Sequence, residues 1–221
     1  MKSKFLLIVP LFLLFSFISC NDDDSMDSPE TQYKGVNKPG DATIFDIVAS
    51  FLPDQFSQLY AAIQYVDREQ NAGLEDAIKS NDIDITVFAP TDQAFVNLLA
   101  FLDANRPEDI ETIEDVPSEI VLAVLQYHLT NGRRASNSVV PKKRTKSIQT
   151  LLGVQFTVDS NLGITDVADI YDPKPLIGIG DPANFANISA SNGVIHVIDG
   201  VLLPYAPEDI LALWDDLVEA N

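Results

Sequence analysis

The sequence predicts an α+β domain. Apolar residues at helical spacing dominate the first half of the folded part, and short β-type runs divided by turn residues dominate the second. No repeat of roughly 20 to 50 residues divides the chain. Helices first and strands afterwards suggest a helical layer on an antiparallel, sandwich-like β part.

Taken in order, Ile44, Ile47, Val48, Phe51 and Leu52 repeat as one helix face, and Pro53 breaks the run. Phe56, Leu59, Tyr60 and Ile63 repeat as a second. Ile83, Ile85 and Val87 alternate like a strand with one buried face. Phe95, Leu98, Leu99 and Leu102 mark a core-facing helix. Val121, Val124 and Leu125 mark another, opened near Pro117-Ser118 and closed at Asn131-Gly132. The β-type runs SNSVV, SIQTLL, VQFTV, GITDV, PLIGIG, ANISA and VIHVIDGVLL follow, with VQFTVDSNLGITDV read as a hairpin turning at Ser160-Asn161. From Pro207, Ile210, Leu213, Trp214 and Leu217 form one face of a last amphipathic helix, expected to pack back on the domain.

The N-terminus has the pattern of a targeting segment. Lys2 and Lys4 precede an apolar run too short to span a bilayer as a helix, which fits a signal peptide over residues 1–19. Its end, FISC, resembles a bacterial lipobox, making Cys20 the expected lipidation site and a lipid the expected link to the membrane. Cys20 is the single cysteine, so neither a disulfide nor a thiolate metal site is expected within the chain. Residues 20–40 are too polar to offset their ordering entropy and are expected to form a flexible acidic tether. Asp22-Asp23-Asp24 resembles the signal that sends Bacteroidota-type lipoproteins to the outside of the outer membrane, although three aspartates also suit a solvated linker. The expected folded unit is 41–204, with 205–221 as the appended helix. The chain carries a net charge of −19; removing the leader takes two lysines and no acid, which leaves −21. Such a surface repels nucleic acid and anionic lipid at long range.

Few positions could host chemistry. Pro90-Thr91-Asp92 places a hydroxyl beside a carboxylate between a strand and a helix. No histidine or lysine lies nearby in sequence to serve as a base, and Thr91 or Asp92 at a helix start suits a cap. His128 lies on an apolar helix face and is expected to be buried and hydrogen-bonded; Tyr127, on its flank, is expected to be partly exposed. His196 alternates with apolar residues in a strand expected at the centre of the sheet. Two histidines on separate elements do not make a metal site, and Asp159–Gly163 lacks the ligands of a calcium loop, so no metal or cofactor is expected. Arg133, Arg134, Lys142, Lys143, Arg144 and Lys146 fall within fourteen positions without an acid. They read either as a solvated edge or as a contact for an acidic glycan, lipopolysaccharide head groups or an acidic protein.

TVFAPTDQAF, VLAVLQYHLTNG and NISASNGVIHVIDGVLLP, in that order, resemble the conserved blocks of fasciclin-like domains. The resemblance spans about residues 41–204. It implies a wedge-shaped β-sandwich with an N-terminal helical layer and an adhesive role outside the cell, without catalysis. In animal members the Tyr-His block is implicated in integrin binding, which makes Tyr127 a possible contact. Where those members carry an acidic Asp-Ile motif, this chain has Asn187-Ile188, a second possible contact that lacks the carboxylate. Taken together, these readings suggest a lipid-anchored, surface-exposed module binding an unknown glycan or protein. The alternative is an auxiliary binding component of a surface glycan-uptake system.

Overall fold

The computed structural model describes residues 39–51, 55–170, 174–175 and 187–220. The expected leader, Cys20, the aspartate run, nearly all of the tether, Leu52-Pro53 and most of PLIGIG lie outside the described residues.

Four helices build the first layer: α1 (Ile44–Ser50), α2 (Ser57–Gln70), α3 (Leu74–Lys79) and α4 (Asp92–Asn105). A capping box starts α1: Thr43 Oγ1 accepts the Asp46 N–H at 3.1 Å, and Asp46 accepts the Thr43 N–H at 3.0 Å. After a 3₁₀ turn at Ile113–Asp115 comes α5 (Ser118–Tyr127), and α7 (Pro207–Ala220) closes the described chain. Among the described residues no helix is long and apolar enough to cross a membrane.

The strands form two four-stranded sheets. One has the order β2 (Leu129–Asn131), β1 (Ile85–Pro90), β8 (Gly193–Ile198), β7 (Ile188–Ala190). The other runs β3 (Thr145–Gln149), β4 (Gln155–Asp159), β5 (Gly163–Thr165), β6 (Lys174–Pro175). The hairpin expected at Ser160-Asn161 is present, with Val158 opposite Ile164.

Several expectations needed correction. The β part is not wholly antiparallel: β1 and β8 pair in parallel, Phe88 opposite His196, because the long excursion between them brings the chain back in the same direction. β1 is buried on both faces rather than one, since the helices cover one side and the second sheet the other. Its Val87 and Ala89 join a core with the helices, while Phe88 joins Tyr127, Phe156, Ile198 and Leu202 between the sheets. SNSVV is no strand but a single helical turn, α6 (Ser136–Val139). The helix expected to continue to Asn131 stops at Tyr127, because Leu129–Asn131 pairs with β1. At the seam, a Cβ on Gly193 would stand 2.0 Å from the Ile85 carbonyl oxygen, so only glycine allows this approach of β8 to β1.

Candidate functional site

The Thr91-Asp92 turn is spent on helix starts. Thr91 Oγ1 accepts the Ala94 N–H at 3.3 Å and donates to Asp199 Oδ1 at 3.3 Å. Asp92 caps a different helix from its own. Its Oδ1 accepts the Gln58 N–H at 2.8 Å and its Oδ2 the Ser57 hydroxyl at 2.8 Å, which supplies the start of α2 with the side-chain acceptor that Phe56 lacks. Pro90, the last residue of β1, ends the strand that delivers this pair.

Both histidines are committed to the backbone. His128 Nε2 accepts the Leu202 N–H at 2.9 Å, so Nδ1 carries the proton and donates to Val124 O at 2.7 Å. His196 takes the opposite tautomer: Nδ1 accepts the Asn187 N–H at 3.4 Å, and Nε2 donates to Arg134 O at 2.8 Å. Its ring lies 5.4 Å from Phe88, and burial lowers its pKa to about 4, against a smaller upward pull from the Arg134 carbonyl. Among the described residues no three histidine, cysteine, aspartate or glutamate side chains could share a metal ion.

Tyr127 is not partly exposed as expected. It is fully buried, its hydroxyl donating to Gln155 O at 2.9 Å and its ring standing edge-on to Phe156 at 5.8 Å. Stopping α5 at this residue turns the ring into the space between the sheets, so it presents no surface to a ligand. Asn187, at φ 63°, is a structural knot: Nδ2 donates to Ser136 Oγ at 2.8 Å, Oδ1 accepts the Ser136 N–H, and its backbone N–H serves His196. Ile188 is half-buried against the helical core.

The basic segment divides in two. Arg133 turns inward. Its guanidinium donates to the carbonyls of Gly193 at 2.7 Å, Ala190 at 2.9 Å and Ser191 at 3.1 Å, to Ser189 Oγ at 3.2 Å, and meets Asp84 at 3.2 Å. Its side chain is only 11% exposed, which removes it from any surface contact. Arg134 Nε donates to Asn131 O at 3.0 Å, and Lys146 Nζ to Ser138 O. Lys142, Lys143 and Arg144 lie exposed on the turn between α6 and β3, with Arg144 at φ 64°.

Two polar residues not singled out in the sequence fasten segments distant in the chain. Asn192, buried, accepts the Ile44 N–H at 2.8 Å and donates to Ile78 O and Ser80 O, both at 2.8 Å, fastening α1 and α3 to the sheet. Asp166 accepts the Leu203 N–H at 2.6 Å and the Asp169 N–H at 3.1 Å. Asn192-Gly193 reads locally as a plain turn; only its partners, more than a hundred residues away, give it this role.

A layered frame whose histidines serve the backbone, and which carries a cationic loop at one edge, defines the class: an α+β module. The fasciclin domain model matches residues 54–204, and the chain belongs to that family. It is similar to the transforming growth factor-beta-induced protein ig-h3 of Sus scrofa, 29% identical over 168 residues, which is 76% of this chain and 20% of that protein. The chain thus spans about a fifth of the length of that relative. Protein sll1483 of a Synechocystis strain is 30% identical over 162 residues, 73% of each chain. Among solved structures, a FAS1 domain pair from the insect cell adhesion molecule fasciclin I aligns at 17% identity with a TM-score of 0.41, over 66% of this chain and 45% of that one.

Proposed function

We propose that this chain is a non-enzymatic binding module, held at the outer face of the cell envelope by a lipid on Cys20, and that it touches an anionic surface through Lys142, Lys143 and Arg144. The observation that carries the reading is this turn: three consecutive exposed cations in a chain of net charge −19. Membership of the fasciclin family supports a binding or adhesive role. At physiological salt the screening length is about 8 Å, so a local cationic contact can act despite the acidity of the rest of the protein. Acidic polysaccharide is the ligand class that best fits three cations on an exposed turn.

The test is binding of the mature protein to an acidic polysaccharide across a salt series, beside Lys142→Ser/Lys143→Ser/Arg144→Ser. Three exposed contacts at about 0.5 kcal/mol each predict roughly tenfold weaker binding and a shallower salt dependence. Equal affinities and equal salt slopes would remove the loop from the ligand site. Separately, Cys20→Ala should release the protein from the membrane fraction or leave its leader uncut. A pull-down from outer membranes that returns a transporter subunit would favour the glycan-uptake role over adhesion.

A further inference from the structure

The helix α7 lies against the domain along only part of its length. Ile210 and Trp214 are buried, Leu213 and Leu217 half-buried, and Val218 is 59% exposed. An open groove of about 490 Å³ runs between the last turns of α7, the end of α2 and the Val116–Glu119 entry to α5. α7 lines it with the apolar Trp214, Leu217 and Val218; α2 and the entry to α5 line it with Val116, Pro117 and the carboxylates Glu69, Glu114, Asp115 and Glu119. The fasciclin match ends at residue 204, so α7 and the wall it provides lie outside the matched domain.

The chain itself shows how this wall receives a cation. Arg68 places Nε 2.8 Å from Glu69 and Nη2 3.0 Å from Glu114, with its guanidinium 5.4 Å over the Tyr65 ring. One cation does not balance the four carboxylates that line the groove. The pKa of the Tyr65 phenol is raised by burial first and then by Glu69, Glu114 and Glu119, with Arg68 opposing. α7 adds Glu208, Asp209, Asp215, Asp216 and Glu219 and no base.

We propose that this groove docks a cationic, apolar-flanked peptide segment of a partner protein, with an apolar side chain over Leu217 and Val218 and a lysine or arginine facing Glu114 and Glu119. The apolar wall gives a bare cation nothing to cover, and the carboxylates would be left desolvated by a purely apolar occupant. A segment carrying both kinds of side chain satisfies both walls, and a groove of this size takes two or three of them. This surface is separate from the Lys142–Arg144 turn and opposite to it in charge.

Trp214 is the only tryptophan in the chain and lines the groove, so its fluorescence reads occupancy directly. The mature protein is titrated with an octapeptide alternating leucine and lysine, and with octalysine. The first should shift Trp214 emission and bind at least tenfold more tightly than the second. Glu114→Gln/Glu119→Gln should weaken it about tenfold, whereas Glu208→Gln/Asp209→Asn, which removes the same charge at the far end of α7, should change it less than twofold. Leu217→Ser should weaken the mixed peptide and leave octalysine unaffected, with circular dichroism confirming that each variant is folded. Equal losses in the two charge variants, or no Trp214 response, would reduce the effect to general attraction by an acidic protein and overturn the proposal. Concentration-dependent self-association abolished by Glu114→Gln/Glu119→Gln would overturn it too, by assigning the groove to a second copy.

Discussion

Arg133 and the Lys142–Arg144 turn lie nine residues apart in one basic stretch and face opposite ways. Arg133 points into the turn between β7 and β8, where a planar fork of donors meets three carbonyls, among them that of Ala190, which also accepts the Gly40 N–H at 3.1 Å. The later cations follow α6, whose single turn carries the chain outward before β3 begins. The difference teaches that a run of like charge is not one feature. A cation beside the β7–β8 turn becomes part of the frame, and the cations carried past α6 stand exposed at the surface.

The comparison breaks most easily at Arg133. Arg133→Ala removes the guanidinium donor from the Gly193 and Ser191 carbonyls in a largely buried place, while the Ala190 carbonyl keeps the Gly40 N–H at 3.1 Å, and the expected loss is about 2–3 kcal/mol. Arg133→Lys should recover only part, because a point charge cannot serve acceptors spread across a fork. Denaturant unfolding measures both. A loss below about 1 kcal/mol for the alanine variant would mean that Arg133 is as dispensable as the outer cations.

The second effect comes from His196, which donates to the carbonyl of Arg134 and so belongs to the inward half. Its folded pKa of about 4 lies below the ordinary value of 6.5, so between those values the unfolded chain binds the extra proton. Its contribution is therefore fully present above about pH 6.5 and declines as pH falls towards 4, by roughly 3 kcal/mol in all. His196→Gln should flatten stability across this window relative to the parent. The same slope in both proteins would assign the acid sensitivity to carboxylates instead.

Much of the frame was legible because local signals and tertiary structure agree. Leu98, Leu99 and Leu102 share one helix face and are buried together, and the Asp159–Gly163 turn closes its hairpin through Asp159 Oδ1, which accepts the Asn161 N–H at 2.6 Å and the Gly163 N–H at 3.0 Å. The parallel β1–β8 seam was not legible, since periodicity reports which residues share a face and not which distant strand pairs with them. Nor did the sequence show Tyr127 turning between the sheets, because the helical stripe that placed it on a flank ends at that residue. Asp92 was legible as a cap, but not as the cap of α2, thirty-four residues earlier. The direction of each cation was the least legible of all, because long flexible side chains leave no periodic trace.

The smallest expected effect sharpens the comparison from the outer side. Lys142→Ser/Lys143→Ser/Arg144→Ser should leave stability within about 0.5 kcal/mol of the parent, the range for exposed substitutions away from caps and cores. Arg144 adds a finer test. At φ 64° it holds a left-handed conformation that costs an ordinary residue about 1 kcal/mol and glycine almost nothing. Arg144→Gly trades that relief against a more flexible unfolded chain, so stability should stay level or rise slightly. The backbone alone would therefore favour glycine or asparagine here. Thermal melts of the two variants beside the parent measure the outcome. A loss above about 1 kcal/mol in either would show the turn to be held by its side chains, and the contrast with Arg133 would become one of degree.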